Sequence, residues 1–356
     1  MPGNCDPWPG NNNANFSIRS ILACYSTGLQ ANRYNQVAYP SAPLPRTHPH
    51  RLGGLALLHG YAAPRRMRVL DIGCGAGRNL VWIAATIPSA EACLGVDIAS
   101  AAIADAQAFA VRAGVTNARF QVRDLATVEG EFDFIVASGL YSWIANKSEL
   151  LRRIDGLLSP DGVAYVNFHE EDRPWRADLL QHRDPSRVPE LAGLDPALIF
   201  HDAMAEISDA VPLDEFVEAL PAGLAYLCDA RIPPEETFHE AVLIRSGRAA
   251  DGDVRDIWWV TEESFPEAVR LPEPPQEALD VLSAPRAIVR VPGPSPVAWE
   301  PARRLTAAGE LEIMNYYGAS VELEPEDAAL LASLDGTRAA SGETIEFFAE
   351  AGLLTG

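Results

Sequence analysis

The stretch Met67-Arg68-Val69-Leu70-Asp71-Ile72-Gly73-Cys74-Gly75-Ala76-Gly77-Arg78-Asn79 constrains this chain more than any other. An apolar run of strand length ends on an acid and enters a turn with glycines at 73, 75 and 77. From Leu80 the pattern becomes helical, with Leu80, Ile83, Ala84 and Ile87 on one face. Glycine lets a backbone turn sharply and approach a ligand with no side chain in the way. The first N–H groups of the helix that follows stay free to face a polar group. The pattern predicts the first β–α turn of a nucleotide-binding sheet and leaves open which nucleotide.

The neighbouring segments support that sheet. Strands are expected at 67–72, 92–97, 118–123, 132–138 and 162–168, and helices near 78–86, 100–113 and 147–158. Strands alternating with helices of this length imply parallel pairing. The fold class is therefore α/β, a doubly wound, mostly parallel Rossmann-like sheet, with the ligand over the carboxyl ends of its strands. Upstream, residues 1–15 read as a loose end, with a short helix at 17–29 and another at 51–59. Downstream, 175–227 reads as mostly helical, Phe238 to Arg245 as a strand, and 246–256 and 262–300 as proline- and acid-rich connectors. The end of the chain reads as a strand pair within 311–323 broken at Gly318, a helix from Pro325 to Leu334, and a last helix from Thr344. Four regions are expected: an N-terminal lid segment (1–50), a cofactor-binding domain (51–175), a mostly helical accessory region (176–300) and a small winged-helix-like C-terminal domain (301–356).

Composition narrows the partners. The formal net charge is −21, and a broadly acidic surface repels phosphate backbones and anionic lipid, so neither nucleic acid nor a membrane is expected as a partner. The five cysteines (Cys5, Cys24, Cys74, Cys93 and Cys228) are scattered without a C-x-x-C pair, against a disulfide framework or a zinc site. No apolar segment reaches ~18 residues and the first residues carry no secretory pattern, which points to the cytoplasm. No pattern specifies an oligomeric state.

The spacing of the acids decides the nucleotide. A dinucleotide site wants G-x-G-x-x-G; here the third glycine comes one residue early and Arg78 stands where a packing glycine belongs. Asp97, with Ile98 after it, ends the second strand 20 residues beyond Gly77, where a carboxylate can bind both ribose hydroxyls. Asp124 closes the third strand, placed to accept from an adenine amine, with Leu125 beside the ring. Asp71, Gly73, Gly75, Gly77, Asn79, Asp97, Ile98, Asp124, Leu125 and Ser138 are the expected cofactor-binding residues. Acids around the turn suit a ligand without phosphate that carries a cationic sulfonium: S-adenosyl-L-methionine.

Other pieces follow in a fixed order: Tyr39-Pro40-Ser41 with Thr47-His48-Pro49, Phe132-Asp133-Phe134-Ile135, Gly139-Leu140-Tyr141-Ser142-Trp143, Phe238-His239-Glu240-Ala241-Val242-Leu243 and Leu334-Asp335-Gly336-Thr337-Arg338. With these the chain resembles the bacterial protein-lysine-methyltransferase-like proteins that carry a methyltransferase regulatory domain. The resemblance implies a class I, S-adenosylmethionine-dependent methyltransferase whose C-terminal half shapes or recruits a peptide or protein substrate. Ser138, Asn167-Phe168-His169 and Arg173-Pro174-Trp175 depart from the family pattern, which keeps a small natural-product acceptor as the alternative. A cofactor-sensing regulatory module is a third.

Methyl transfer is an in-line displacement on a carbon that the cofactor already activates, so the protein supplies alignment, desolvation and control of acceptor protonation. The acceptor is expected between the end of the fourth strand and the N-terminal segment. Tyr39, His48, Tyr141 and His169 are the candidate catalytic residues there. A lysine acceptor must shed its proton at ~4–5 kcal/mol at neutral pH, and the two histidines favour an acceptor from which a proton is taken. His48 in Thr-His-Pro has a plainer alternative as a turn cap, and Tyr141 as packing.

Overall fold

The computed structural model describes residues 33–87, 90–231, 237–248, 295–315, 320–337 and 339–355. Seven strands, β1 (Arg68–Ile72), β2 (Ala92–Asp97), β3 (Ala118–Val122), β4 (Phe132–Ala137), β5 (Leu158–His169), β6 (Leu224–Asp229) and β7 (Phe238–Arg245), form one sheet in the order β3-β2-β1-β4-β5-β7-β6. The first five pair in parallel, and β7 inserts antiparallel between β5 and β6. Helices α1 (Pro49–Leu58), α2 (Arg78–Thr86) and α3 (Ser100–Arg112) share one core with one face of the sheet, and α4 (Lys147–Leu157) packs on the other. Successive residues of a strand point to opposite faces, so Val69 enters the first core and Leu70 the second. A parallel strand covered on both faces must be apolar throughout, which is why β1 reads so clearly.

Between β5 and β6 the chain forms α5 (Arg176–His182), a π-helical turn (Ile199–Ala203) and α6 (Leu213–Glu218). The C-terminal unit comprises α7 (Glu300–Ala307), the hairpin β9 (Glu312–Met314) with β10 (Ser320–Glu322), α8 (Pro325–Ser333) and α9 (Glu343–Glu350). It is closed by β8 (Val297–Ala298) pairing with β11 (Leu354–Thr355). This unit covers α2. Every residue from Arg78 to Ala85 is buried, and Ala302 and Leu305 join the same core. A helix that is apolar all round needs cover on both sides.

Three expectations change. The described part of 176–300 is not a helical region apart from the sheet: β6 joins the expected strand β7 in completing it, and Val242, Leu243 and Ile244 are buried at its heart. β6 is a five-residue apolar run, Leu224 to Cys228, and so short a run does not by itself distinguish a strand from a helix segment. β5 begins at Leu158 rather than 162, since Leu158 pairs with Phe132 ahead of a bulge. The C-terminal unit begins by Val297, which the closing strand pair draws in. The helix expected at 17–29, Gly318, Arg338 and most of the 246–300 connectors lie outside the described residues. Among the described residues no helix is long and apolar enough to cross a membrane.

Candidate active site

The glycine turn sits at the carboxyl end of β1. Gly77 caps α2 at φ 73°, and a Cβ there would stand 2.7 Å from both Ala106 and Phe120. Gly75 (φ 52°) is the opposite case: nothing lies within 4 Å of where its Cβ would be, so the turn faces open space. Gly73 and Cys74 donate their amides to the Val96 carbonyl at 2.8 and 3.1 Å, which ties the turn to β2. Asp97 is aimed by two backbone donors, Gly75 N–H to Oδ2 (3.0 Å) and Ala99 N–H to Oδ1 (2.8 Å). Next to it Ile98 leaves 58% of its surface exposed, an apolar wall facing solvent. Asp124 is exposed, accepts the Ala126 amide at 2.8 Å and stands beside half-buried Leu125.

Asp71 is 4% exposed; burial first, and the Asp97 charge second, push its carboxyl up to about 7, against a hydrogen bond from Asn79 that lowers it. The Asn79 amide also accepts the Leu44 N–H (2.9 Å) and donates to the Thr47 hydroxyl (2.9 Å), so it is a strut between the turn and the N-terminal segment. Two carboxylates at one open glycine turn, with a third just past β3, would repel a pyrophosphate, whereas they suit a cationic nucleoside without phosphate. Residues 70–164 match a family described as a methyltransferase domain.

The chain carries a class I, S-adenosylmethionine-dependent methyltransferase domain. In its fold it is similar to PKMT2 of Rickettsia typhi, with a TM-score of 0.70 at 17% identity over 89% of this chain and 100% of that one. A second structure of PKMT2, in complex with AdoHcy, gives 0.66 at 18%. Trans-aconitate 2-methyltransferase of Methylobacterium radiotolerans is 37% identical over 159 residues, covering 40% of this chain and 57% of that protein. An uncharacterised protein of Rickettsia prowazekii is 31% identical over 160 residues, 43% of this chain and 29% of that protein. The chain thus spans 57% and 29% of the length of these two curated relatives, in each case under two thirds.

The methyltransferase domain places the remaining candidates unevenly. Ser138, just past β4, accepts from the Asn167 amide at 3.0 Å, and Asn167 in turn accepts the Gly139 N–H at 2.7 Å. Tyr39 is 37% exposed, and its hydroxyl donates to Asp202 at 3.3 Å. His169, at the end of β5, is 2% exposed, packs against Trp143 at 5.2 Å and meets the Ser208 hydroxyl at 3.2 Å. Burial, helped by Arg173, pushes its pKa down to about 4.

Two candidates lie elsewhere. His48 caps α1 by accepting the His50 amide at 3.2 Å, and its Nε2 meets Thr86 at 2.7 Å, at the end of α2 remote from the glycine turn. It is a structural cap. Tyr141 is 2% exposed, wedged between Phe168 and Phe216 at 5.6 and 5.0 Å, and packs the second core instead of lining a site.

Several residues of the site were missed. Segment 33–39 bridges the first turn of α3 and the π-helical turn: Asn35 accepts the Ala101 N–H (2.9 Å), Tyr34 stacks on His201 (4.6 Å), and His201 Nε2 meets the Val37 carbonyl (2.9 Å). Asp202 joins Tyr39 there, and burial pushes its carboxyl up to about 6. Below it, Glu240 of β7, 3% exposed, accepts the Tyr165 hydroxyl and pairs with Arg46 (2.5 Å) and Arg231 (3.4 Å). An isolated aspartate within a π-helical turn, or a glutamate inside an apolar strand, carries no motif; the acid within Phe238-His239-Glu240-Ala241-Val242 was the only available hint.

Proposed function

We propose that the protein transfers a methyl group from S-adenosylmethionine to a nucleophilic side chain of a peptide or protein, on nitrogen or oxygen. When bound, the cofactor supplies a methyl carbon already activated for displacement. Asp97 holds the ribose hydroxyls in this reading, Ile98 and Leu125 flank the adenine, and Asp124 receives its amine. Gly73, Gly75 and Gly77 let the amino-acid end pass over the turn, with Asp71 facing its cationic part and Asn79 bracing that acid. Ser138 stands on the methyl side.

One observation carries the choice of a bulky acceptor. Segment 33–39 grips an insertion of some fifty residues between β5 and β6 by an aromatic stack, a histidine–carbonyl contact and the Tyr39–Asp202 pair. So large a cover suits a lid that clasps an acceptor extending outside the pocket. An imidazole held at about 4, as in His169, is a poor acceptor for a lysine proton. Asp202, raised to about 6 and linked to Tyr39, is better matched to that step. His169 then serves with Trp143 as a wall. The C-terminal unit, read as winged-helix-like, would recruit the substrate.

The alternative is a small acceptor. It is supported by the likeness to a trans-aconitate 2-methyltransferase and by the depth at which His169 is buried. Incubating the full chain with methyl-labelled cofactor and a cell extract, followed by mass spectrometry, separates the readings. Label on a protein or peptide side chain supports the first, and label confined to small molecules overturns it. Cofactor binding with no labelled product at all would leave a sensor.

A further inference from the structure

Arg78 is an unusual first residue for a helix. A cation there faces the positive end of the helix dipole, and this one is also buried, its side chain 10% exposed. Its guanidinium lies over the Phe109 ring at 4.1 Å and donates through Nη1 to the Ala76 carbonyl at 3.2 Å, inside the glycine turn. Two carboxylates meet it: Asp105 of α3 at 3.5 Å, and Glu310, which follows α7 in the C-terminal unit, at 3.3 Å. Arg112 and Glu312 are the other charged groups that act on Glu310, and burial raises its pKa.

The turn therefore has a buried positive charge directly behind it, and half of what compensates that charge comes from a unit some 230 residues away in sequence. The methyl donor carries a sulfonium charge, whereas the demethylated product, S-adenosylhomocysteine, does not. An uncompensated guanidinium behind the turn disfavours the donor and leaves the product nearly unaffected, since a charge in a partly buried setting acts over ~10 Å with little screening.

We propose that Glu310 is a positioning residue for the cofactor turn. It holds Arg78 on the Ala76 carbonyl and neutralises it, so that the C-terminal unit sets how strongly the domain prefers the cationic donor over the neutral product. The inference needs the cofactor but not the acceptor, so it stands or falls separately from the choice of substrate.

Calorimetry of the full chain with each ligand tests it. In Glu310→Gln the Kd for S-adenosylmethionine rises about three- to tenfold while that for S-adenosylhomocysteine changes less than twofold. Glu310→Asp, which keeps the charge, restores the preference. Unchanged affinities, or donor and product weakened alike, overturn the proposal. Should Glu310→Gln fail to fold, Asp105→Asn removes the other acid without touching the C-terminal unit and must shift the ratio the same way; an unchanged ratio there overturns it too.

Discussion

Along the carboxyl edge of the sheet, the end near β1–β3 presents backbone: a glycine turn, amides aimed at Asp97, and an opening beside Gly75. The end near β5–β7 presents side chains that meet from far apart in the chain, with Arg46, Tyr165 and Arg231 on the Glu240 carboxylate and Tyr39 against Asp202. The first end is rigid by local geometry, the second by a network of charges and hydrogen bonds. Such a division suits a domain that keeps one ligand constant and lets the other vary.

The sharpest way to break the first end is steric. Gly77→Val places branched carbon where 2.7 Å is already too close, at a positive φ, and should lower unfolding free energy by about 4 kcal/mol in denaturant melts. The second end breaks electrostatically. Glu240→Ala leaves Arg46 and Arg231 facing an emptied site and should cost about 3 kcal/mol of stability, while donor affinity, measured by calorimetry, stays within threefold. If both variants lose donor affinity alike, the two ends are not separable. Asp97→Ala should weaken donor binding about 100-fold, since it removes charge-assisted hydrogen bonds to the ligand, and should cost about 1–2 kcal/mol of stability because the Gly75 and Ala99 amides lose their acceptor.

A pH titration tests the acids. The folded pKa of Asp71, about 7, lies above its ordinary 3.8. From about pH 4 to 7 the folded chain holds a proton that the unfolded chain has lost, so the contribution of Asp71 to stability falls as pH rises through that window and is flat above it. Affinity for the cationic donor runs the other way, rising up to about tenfold between pH 6 and 8 as the carboxylate forms. Asp71→Asn should flatten both curves. Tyr39→Phe is the smallest change: less than twofold in donor Kd and under ~0.5 kcal/mol in stability, because the residue is exposed and its hydrogen bond is long.

The same contrast explains what could be read from the chain alone. Strand, glycine turn, helix and the acids at 71, 97 and 124 all lie within about 60 residues, and short-range rules govern them. The strands from β1 to β4 fell within a residue of expectation for that reason. Tyr141 was placed by proximity to a strand end and His48 by its position in the N-terminal segment, and neither says which way a side chain turns: His48 caps α1 and Tyr141 fills a core. Asp202 and Glu240 gain their meaning from partners 163 and 194 residues away, Tyr39 and Arg46, and no spacing rule reaches so far. The edge strand β6 shows the same limit in the fold, since its short apolar run suits strand or helix alike and the antiparallel pairing to β7 decides between them.

Asn79 joins the two ends. One carboxamide bonds Asp71, the Leu44 amide and the Thr47 hydroxyl, so docking of the N-terminal segment and ionisation of Asp71 share a single thermodynamic cycle. By reciprocity, whatever favours the docked segment favours the carboxylate to the same extent, and an arriving cation that ionises Asp71 tightens the segment. Protease resistance of residues 33–47 should then rise with donor concentration and with alkalinity, one backbone reporting a proton it does not carry.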